Sequence, residues 1–180
     1  MEAGGDKVGL KLLGGVLLLA SGLALGFYKA YTLQLRVRQL RLLGLALRVL
    51  ENEVGVGATP LPEALRRAAR VAEADTGGLL EEAAGRLVDG RGLTAQQAWS
   101  EALAECSTRL ALNGSDVEIL GGLGVTLGAS GRSDQTRHIA LVRERLTAQE
   151  EVAREEAEKQ GRLYRYLGVL VPVGILLILW

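Results

Sequence analysis

The residues that could take part in catalysis are few, and no recognised motif surrounds them. His138 is the only histidine and Cys106 the only cysteine in 180 residues. A histidine-based metal site would lack a second imidazole, and a Ser–His–Asp triad would have to use His138. We interpret His138 as a surface or interface residue. Cys106 allows no internal disulfide and no thiolate metal cluster, and its place on the apolar face of a predicted helix favours a core role.

Two further patterns could carry chemistry, and neither is complete. Glu81 and Glu82 could form the acid pair of a small membrane-bound enzyme, but neighbouring residues of a helix do not face one another. The glycine-rich stretch 121–124 is not followed by the Gly-Lys-Ser/Thr of a phosphate-binding loop. The sequence therefore predicts a protein that is not an enzyme and that uses no metal and no cofactor. The acid-pair enzyme is the alternative from another class.

Charges are distributed unevenly along this chain, whose formal net charge is zero. Residues 29–50 contain five basic residues and no acidic one, whereas residues 51–161 contain 19 acidic and 12 basic residues, a net charge of −7. Arg162 and Arg165 then precede the last apolar stretch. Basic residues beside apolar segments suit anionic lipid headgroups. A nucleic-acid-binding surface needs basic residues on the folded body, so we expect no nucleic-acid partner.

An apolar segment near the N-terminus is long enough to cross a bilayer. Residues 12–27 carry no charge, and tyrosines follow them. With Lys11 reaching back to the interface, we predict a transmembrane helix over residues 8–28, because about 20 apolar residues span the hydrocarbon. A cleaved signal peptide is the alternative, since Lys7 also precedes the run and residues 24–26 resemble a cleavage site. The basic stretch after the run favours an anchor.

The apolar segment at the C-terminus is shorter. Residues 167–180 make a helix of about 21 Å, which is short for a membrane span. Adding residues 163–166, with their two tyrosines, extends the segment, and we predict a transmembrane helix over residues 163–180. Pro172 is tolerated in a membrane helix. A buried helix of a soluble domain is the alternative.

The two predicted anchors define three regions and an orientation. Both flanks that face the central part of the chain are basic, and the positive-inside rule therefore places that part in the cytoplasm. We predict a cytoplasmic α-helical domain over residues 29–162 of a protein in the cell membrane.

Apolar spacing predicts six helices between and through the anchors. Residues 33–54 carry apolar side chains at every third or fourth position, which lines one helical face. Thr59 is predicted to cap the second helix, with Pro60 at its first position. The third helix is predicted to follow the break Thr76-Gly77-Gly78.

The last three helices have their own start signals. Thr94 with Gln97 is a capping box for the fourth helix, and Ser115 with Glu118 is predicted to be one for the fifth. Residues 128–133 are predicted to form a loop. A helix then begins at Asp134, and no breaker separates it from the C-terminal apolar segment.

Two segments of the central region resemble a known domain. Residues 57–65 read GATPLPEAL, and residues 90–98 read GRGLTAQQA. This arrangement resembles the cytoplasmic helical domain of the F-type platform proteins of type II secretion and type IV pilus machines, in which the domain occurs twice. Here it occurs once. The resemblance implies an all-α, six-helix cytoplasmic bundle flanked by N- and C-terminal transmembrane helices.

Several short stretches, in order along the chain, resemble the stage III sporulation protein AB family of endospore-forming bacteria. They comprise residues 11–14, the arginine-rich entry helix, residues 116–128, residues 133–135 with His138-Ile139, and residues 163–170. The extra residues 129–132 are a departure that changes the loop before Ser133.

The resemblance implies a platform or adaptor of the channel complex between mother cell and forespore. Its domain would lie in the mother-cell cytoplasm and dock a secretion-type ATPase beside other channel components, and homo-oligomers are a further option. A scaffold of a pilus or secretion system outside sporulation is the alternative. We predict that the partner binds two groups of residues: the exposed charges Arg66, Arg67 and Arg70, and the loop residues Arg132, Ser133, Asp134 and Gln135.

Overall fold

The fold is entirely α-helical in the computed structural model, which describes residues 3–57, 59–128 and 131–179. The described residues contain six α-helices, a short 3-10 turn at Ser107–Arg109 and no strand. The six helices are α1 (Ala3–Gly55), α2 (Leu61–Ala69), α3 (Ala74–Val88), α4 (Ala95–Cys106), α5 (Gly114–Leu127) and α6 (Arg132–Leu179). The predicted all-α fold with six helices is confirmed.

Two compact units make up the chain. The central unit is Leu35–Ala153, and the terminal unit combines the described parts of residues 1–34 and 154–180. Helices α1 and α6 each contribute to both units. The central unit is narrower than the predicted domain of residues 29–162, because the ends of that range belong to the terminal unit.

The core of the central unit is built from leucine and alanine. The apolar face predicted for residues 33–54 is buried from Leu40 onward, since Leu40, Leu43, Leu47 and Leu50 are each at most 1 % exposed. The apolar face of α4, which includes Cys106, is also buried. Burying a leucine side chain contributes about 1.5–3 kcal/mol, so these two faces hold much of the unit together.

Trp99 is the largest buried side chain of this core. Its indole Nε1–H donates a 2.7 Å hydrogen bond to the backbone oxygen of Leu120 on α5. A Cβ atom at Gly124 would lie 2.8 Å from Trp99 Cδ1, so glycine is needed for α5 to pack this closely on the ring. The indole thus joins α4 to α5 by packing and by a hydrogen bond.

A buried ion pair joins α1 to the first turn of α5. Arg36 Nε lies 2.8 Å from Asp116 Oδ2, and Arg36 Nη2 lies 3.1 Å from Oδ1. The side chain of Asp116 is fully buried, and that of Arg36 is 8 % exposed. Arg36 Nη2 also donates to Gln149 Oε1 of α6 at 3.3 Å. One guanidinium therefore connects three helices of the central unit.

Two capping boxes begin α4 and α5. The predicted pair Thr94 and Gln97 is confirmed, since each side chain accepts a hydrogen bond from the other's backbone N–H. The prediction of Ser115 with Glu118 for α5 is wrong. Asn113 is the cap, and its partner is Asp116, whose carboxylate also accepts from Arg36.

The starts of α2 and α3 differ from the sequence prediction. Pro60 precedes α2 as its cap residue, and Thr59 donates instead to Glu53 Oε2 at 2.6 Å. Helix α3 begins at Ala74, so the predicted break at Thr76-Gly77-Gly78 lies inside its first turn. A Cβ at Gly77 would lie 2.8 Å from the oxygen of Ala69, so this glycine permits contact with α2 and does not end a helix.

The terminal unit is held together by backbone-to-backbone packing of the two apolar segments. A Cβ at Gly26 would lie 2.6 Å from the oxygen of Tyr164, and one at Gly168 would lie 2.8 Å from the oxygen of Gly22. A Cβ at Gly22 would lie 2.2 Å from Cγ of Pro172. Small residues permit such close approach between membrane helices, where packing replaces the hydrophobic driving force.

Large apolar side chains cover the outside of the terminal unit. Leu25, Leu170 and Leu177 are each more than 60 % exposed. For the C-terminal segment, the exposure of Leu170 and Leu177 argues against the alternative of a buried helix in a soluble domain. Among the described residues, α1 from Leu13 onward is the one helix that is long and apolar enough to cross a membrane. The span over residues 163–180 stays a prediction.

Replacing Gly26 by leucine is expected to separate the apolar segments, because the new side chain would collide with the backbone of Tyr164. Overpacking of this kind costs about 1–3 kcal/mol. Oxidative crosslinking of cysteines at Gly15 and Leu176, which are neighbours in the structure, measures the pairing in a Cys106→Ala background. We expect the yield to fall in Gly26→Leu. Gly14→Leu is the control, since a Cβ at Gly14 meets nothing within 4 Å, and equal yields in both variants would contradict the packing.

Candidate interaction surface

Two ion pairs place α2 and the turn after it beside α1. Arg67 Nη1 of α2 lies 2.9 Å from Glu53 Oε2, near the end of α1. Arg38 of α1 pairs with Glu73, the cap residue of α3. Because Glu53 follows Arg38 while Arg67 precedes Glu73, the two stretches run antiparallel.

Four arginines on these stretches form no ion pair with the described residues: Arg41 and Arg48 on α1, and Arg66 and Arg70 at α2. We call these four the basic surface. Arg41 and Arg48 are seven residues apart and therefore share one helical face. Arg41 lies one turn from Arg38, and Arg70 lies three residues before Glu73, so both adjoin the same ion pair.

Four acidic residues near the basic surface are already neutralised. Each of them pairs with an arginine outside the basic surface: Glu51 with Arg143, Glu53 and Glu63 with Arg67, and Glu73 with Arg38. Asp75, in the first turn of α3, is exposed and has no such ion pair within the described part of the chain. The basic surface therefore has a local positive charge. Arg41 and Arg48 come from the basic stretch 29–50, and Arg66 and Arg70 from the segment 51–161, whose net charge is −7. Leu45, which is 45 % exposed, lies between Arg41 and Arg48 on the same face and adds an apolar contact.

A cavity of about 550 Å³ adjoins the basic surface at the end of α1. Arg48, Asn52 and Val56 contribute from α1 and the turn after it, and Thr136 and Arg143 contribute from α6. Val56 is 86 % exposed. A partner segment that contacts the basic surface could therefore place an apolar side chain here.

The predicted binding residues have different surroundings in the structure. Arg66 and Arg70 belong to the basic surface, whereas Arg67 is held by Glu53 and Glu63. The hydrogen bond that Arg67 donates to Glu63 and the charge of Glu53 raise the pKa of Arg67, so these contacts favour its charged form. These contacts join α2 to the end of α1, and the binding role predicted for Arg67 stays a prediction.

The predicted binding residues 132–135 lie in the first turn of α6 and not in a loop. Arg132, Ser133 and Asp134 are exposed. Gln135 is half-buried, and its Nε2 donates to the oxygen of Leu127 at 3.0 Å, which closes the end of α5. It therefore has a structural role.

The predicted binding residues at α2 and those at the start of α6 lie near the same end of α1. No contact among the described residues joins the two groups. Arg67 pairs with Glu53. Thr136, the residue after Gln135, lies beside Gly55, since a Cβ atom at Gly55 would lie 2.9 Å from Thr136 Cγ2. Sequence reasoning missed Arg41 and Arg48. Their spacing of seven residues around an apolar position was the available signal.

The residues considered for catalysis lie in two places. His138 is exposed, and Cys106 is 4 % exposed with its Sγ 3.4 Å from Arg109 Nη2. Cys106 lines a depression of about 350 Å³ together with Glu81, Glu82, Asp75 and Arg109, whereas His138 does not line it. No group of three or more His, Cys, Asp or Glu residues in the described part of the chain is arranged to hold a metal ion.

Comparison with known proteins assigns the chain to a family. The profile of the family described as stage III sporulation protein AB matches residues 11–180. The chain belongs to the stage III sporulation protein AB family. The stage III sporulation protein AB of Bacillus subtilis (strain 168) is 35 % identical over 170 residues, which are 94 % of this chain and 98 % of that protein.

A solved structure of a stage III sporulation protein AB, SpoIIIAB, is also similar. It aligns with a TM-score of 0.64 and 33 % identity, and covers 68 % of this chain and 96 % of that one. The resemblance to the AB family noted in the sequence is therefore confirmed. Since the family match begins at residue 11 and ends at residue 180, it includes both apolar segments as well as the central unit.

Proposed function

We propose that this member of the AB family is a non-catalytic membrane platform of the channel between mother cell and forespore, and that its central unit docks a secretion-type ATPase. Residues 8–28 and 163–180 are the transmembrane helices in this proposal, and residues 29–162 are the cytoplasmic domain. The family match places the chain among sporulation proteins and supports the setting.

The observation that carries the docking proposal is the basic surface. Arg41, Arg48, Arg66 and Arg70 have no acidic partner in the described residues, whereas four carboxylates near them, Glu51, Glu53, Glu63 and Glu73, are paired with other arginines. A partner of complementary charge gains electrostatic steering and fixed orientation at such a surface. Arg132, Ser133 and Asp134 extend the contact in this proposal, since they adjoin the same end of α1.

Membrane anchoring gives the docked ATPase a fixed position. Helices α1 and α6 each pass from the central unit into the terminal unit. Their basic residues, among them Lys29 and Arg162, favour the cytoplasmic side. In this arrangement the chain transmits position or force from the ATPase to its membrane partners and needs no active site.

Charge reversal tests the docking surface. The double variant Arg41→Glu/Arg48→Glu in the full chain, solubilised in mild detergent, is expected to bind the ATPase at least about tenfold more weakly, which corresponds to about 1.4 kcal/mol. The matched control is Arg137→Glu/Arg145→Glu, which changes the charge equally at exposed positions of α6. Equal binding by both double variants and by the native chain would reject the basic surface as the docking site.

A scaffold of a pilus or secretion system outside sporulation is the alternative function. Deleting the gene in its host tests the cellular role. We expect arrest after engulfment, and normal spore formation would reject the proposed function. Genes for a secretion ATPase and other sporulation proteins beside this one would support the channel, whereas neighbouring pilin genes would favour the alternative.

A further inference from the structure

The terminal unit contains an open apolar groove of about 240 Å³ between its two helical segments. Gly22 and Gly26 of α1 and Gly168 of α6 form its floor. The backbones pack directly there, since a Cβ atom at any of these three glycines would lie within 2.9 Å of a backbone oxygen of the opposite segment. Leu25 and Leu167 form walls and are 66 % and 42 % exposed. The groove is therefore open to the surroundings and offers hydrocarbon contact along its length.

One end of this groove differs in chemistry from the rest. Lys29 of α1 and Tyr164 of α6 line that end. Lys29 is exposed and has no ion-pair partner among the described residues. From Lys7 to Leu50 and from Lys159 to Trp180, the sequence contains no acidic residue that could neutralise it. The groove thus combines an apolar channel with a cation and a phenol at one end.

Arg165 marks a second depression, of about 260 Å³, in the same unit. Its other lining residues include Phe27, Ala30, Tyr31 and Gln34. Cationic and aromatic groups therefore occur together at the level where the sequence predicts that the helices leave the hydrocarbon.

We propose that the groove binds one anionic phospholipid. Its acyl chain would lie along the glycine floor, and its phosphate would contact the ammonium group of Lys29 and the hydroxyl of Tyr164. An acyl chain matches the apolar walls, and an anion matches the unpaired cation, so a phospholipid satisfies both parts of the groove. A partner helix would fill the apolar part, but it would need an acidic residue at the level of Lys29 to match the cation. This inference rests on the membrane anchoring in the proposed function.

Lipid retention by the full chain tests the site. The chain is reconstituted in bilayers of equal parts phosphatidylglycerol and phosphatidylcholine, extracted with mild detergent, and analysed by native mass spectrometry for bound lipid. We expect one phosphatidylglycerol to be retained in preference to phosphatidylcholine. Lys29→Gln is expected to reduce that preference about fivefold. The matched control is Arg162→Gln, which removes one charge from an exposed residue that lines neither depression.

The control separates a site from general attraction of the basic collar. If Lys29→Gln and Arg162→Gln lower the preference equally, or if the native chain has none, the groove site is rejected. Leu25→Trp, which fills the groove, is expected to reduce retention of both lipids. Leu23→Trp changes an exposed apolar residue outside the groove and is expected to leave retention unchanged. Equal retention by these two variants would also reject the site, and retention of a co-purified helical partner in place of lipid would favour the other occupant.

Membrane insertion is scored in the same samples by resistance to alkaline extraction. A chain that is inserted but shows no lipid preference refutes the groove site and leaves the platform proposal intact. A chain that is not inserted refutes both the groove site and the anchoring on which it rests.

Discussion

Replacing Asp116 by alanine is expected to lower the free energy of unfolding by about 3–5 kcal/mol, because the change leaves the buried guanidinium of Arg36 without its counter-charge. It also removes the carboxylate that accepts from the backbone N–H of Asn113 and completes the cap of α5. Urea titration of the full chain in mild detergent, followed by tryptophan fluorescence, measures the loss.

Two comparisons test this explanation. Asp134→Ala removes an exposed carboxylate from the first turn of α6 and is expected to cost at most about 1 kcal/mol. The double variant Arg36→Leu/Asp116→Leu removes both charges and is expected to be less destabilised than Asp116→Ala, since no unpaired charge stays buried. A double variant as unstable as the single one would show that the ion pair is not the reason for the loss.

Replacing Trp99 by alanine is expected to be about as destabilising, at about 3–5 kcal/mol. The change removes the largest fully buried side chain and leaves a cavity between α4 and α5. Trp99→Phe retains an aromatic ring and loses the hydrogen bond to Leu120, so a smaller loss of about 1–2 kcal/mol is expected. Because these variants lose one of the two tryptophans, far-ultraviolet circular dichroism during the urea titration is the suitable measurement.

Glycine substitutions on α5 provide a matched test of the same contact. Gly124→Ala places a methyl group 2.8 Å from Trp99 Cδ1 and is expected to cost about 1–3 kcal/mol. Gly121→Ala points into open space and is expected to stabilise the helix by about 0.5–1 kcal/mol. If both substitutions stabilise the protein, the close packing of α5 on the indole is contradicted.

The losses of stability expected in Asp116→Ala and in Trp99→Ala concern different parts of α5. Asp116 and Trp99 hold the first turn and the middle of α5, and Arg36 connects that first turn to α1 close to the start of the central unit. In the proposed platform, these contacts stabilise the unit that docks the ATPase. Their loss is expected to impair docking by unfolding, whereas reversal of Arg41 and Arg48 is expected to impair it in a folded chain.

The sequence by itself determined the helical class, the buried faces and one of the caps. The apolar spacing in residues 33–54 and in α4 predicted which side chains are buried, and Thr94 with Gln97 predicted where α4 begins. These features depend on residues within one or two turns of each other, so they are encoded locally. The apolar segments and their basic flanks were also readable from local composition.

The tertiary structure decided which polar residues have a partner and which glycines allow another backbone to approach closely. Asp116 reaches Arg36 across 80 positions, so the carboxylate that completes the cap of α5 also joins this helix to α1. Arg67 is held in ion pairs while Arg70, three residues later, is not, and no local pattern distinguishes them. Gly77 and Gly26 read alike as small residues in sequence, but each allows a different backbone to approach. Such partners are chosen by how distant parts of the chain pack, because a hydrogen bond or a close contact needs a neighbour that only the folded chain provides.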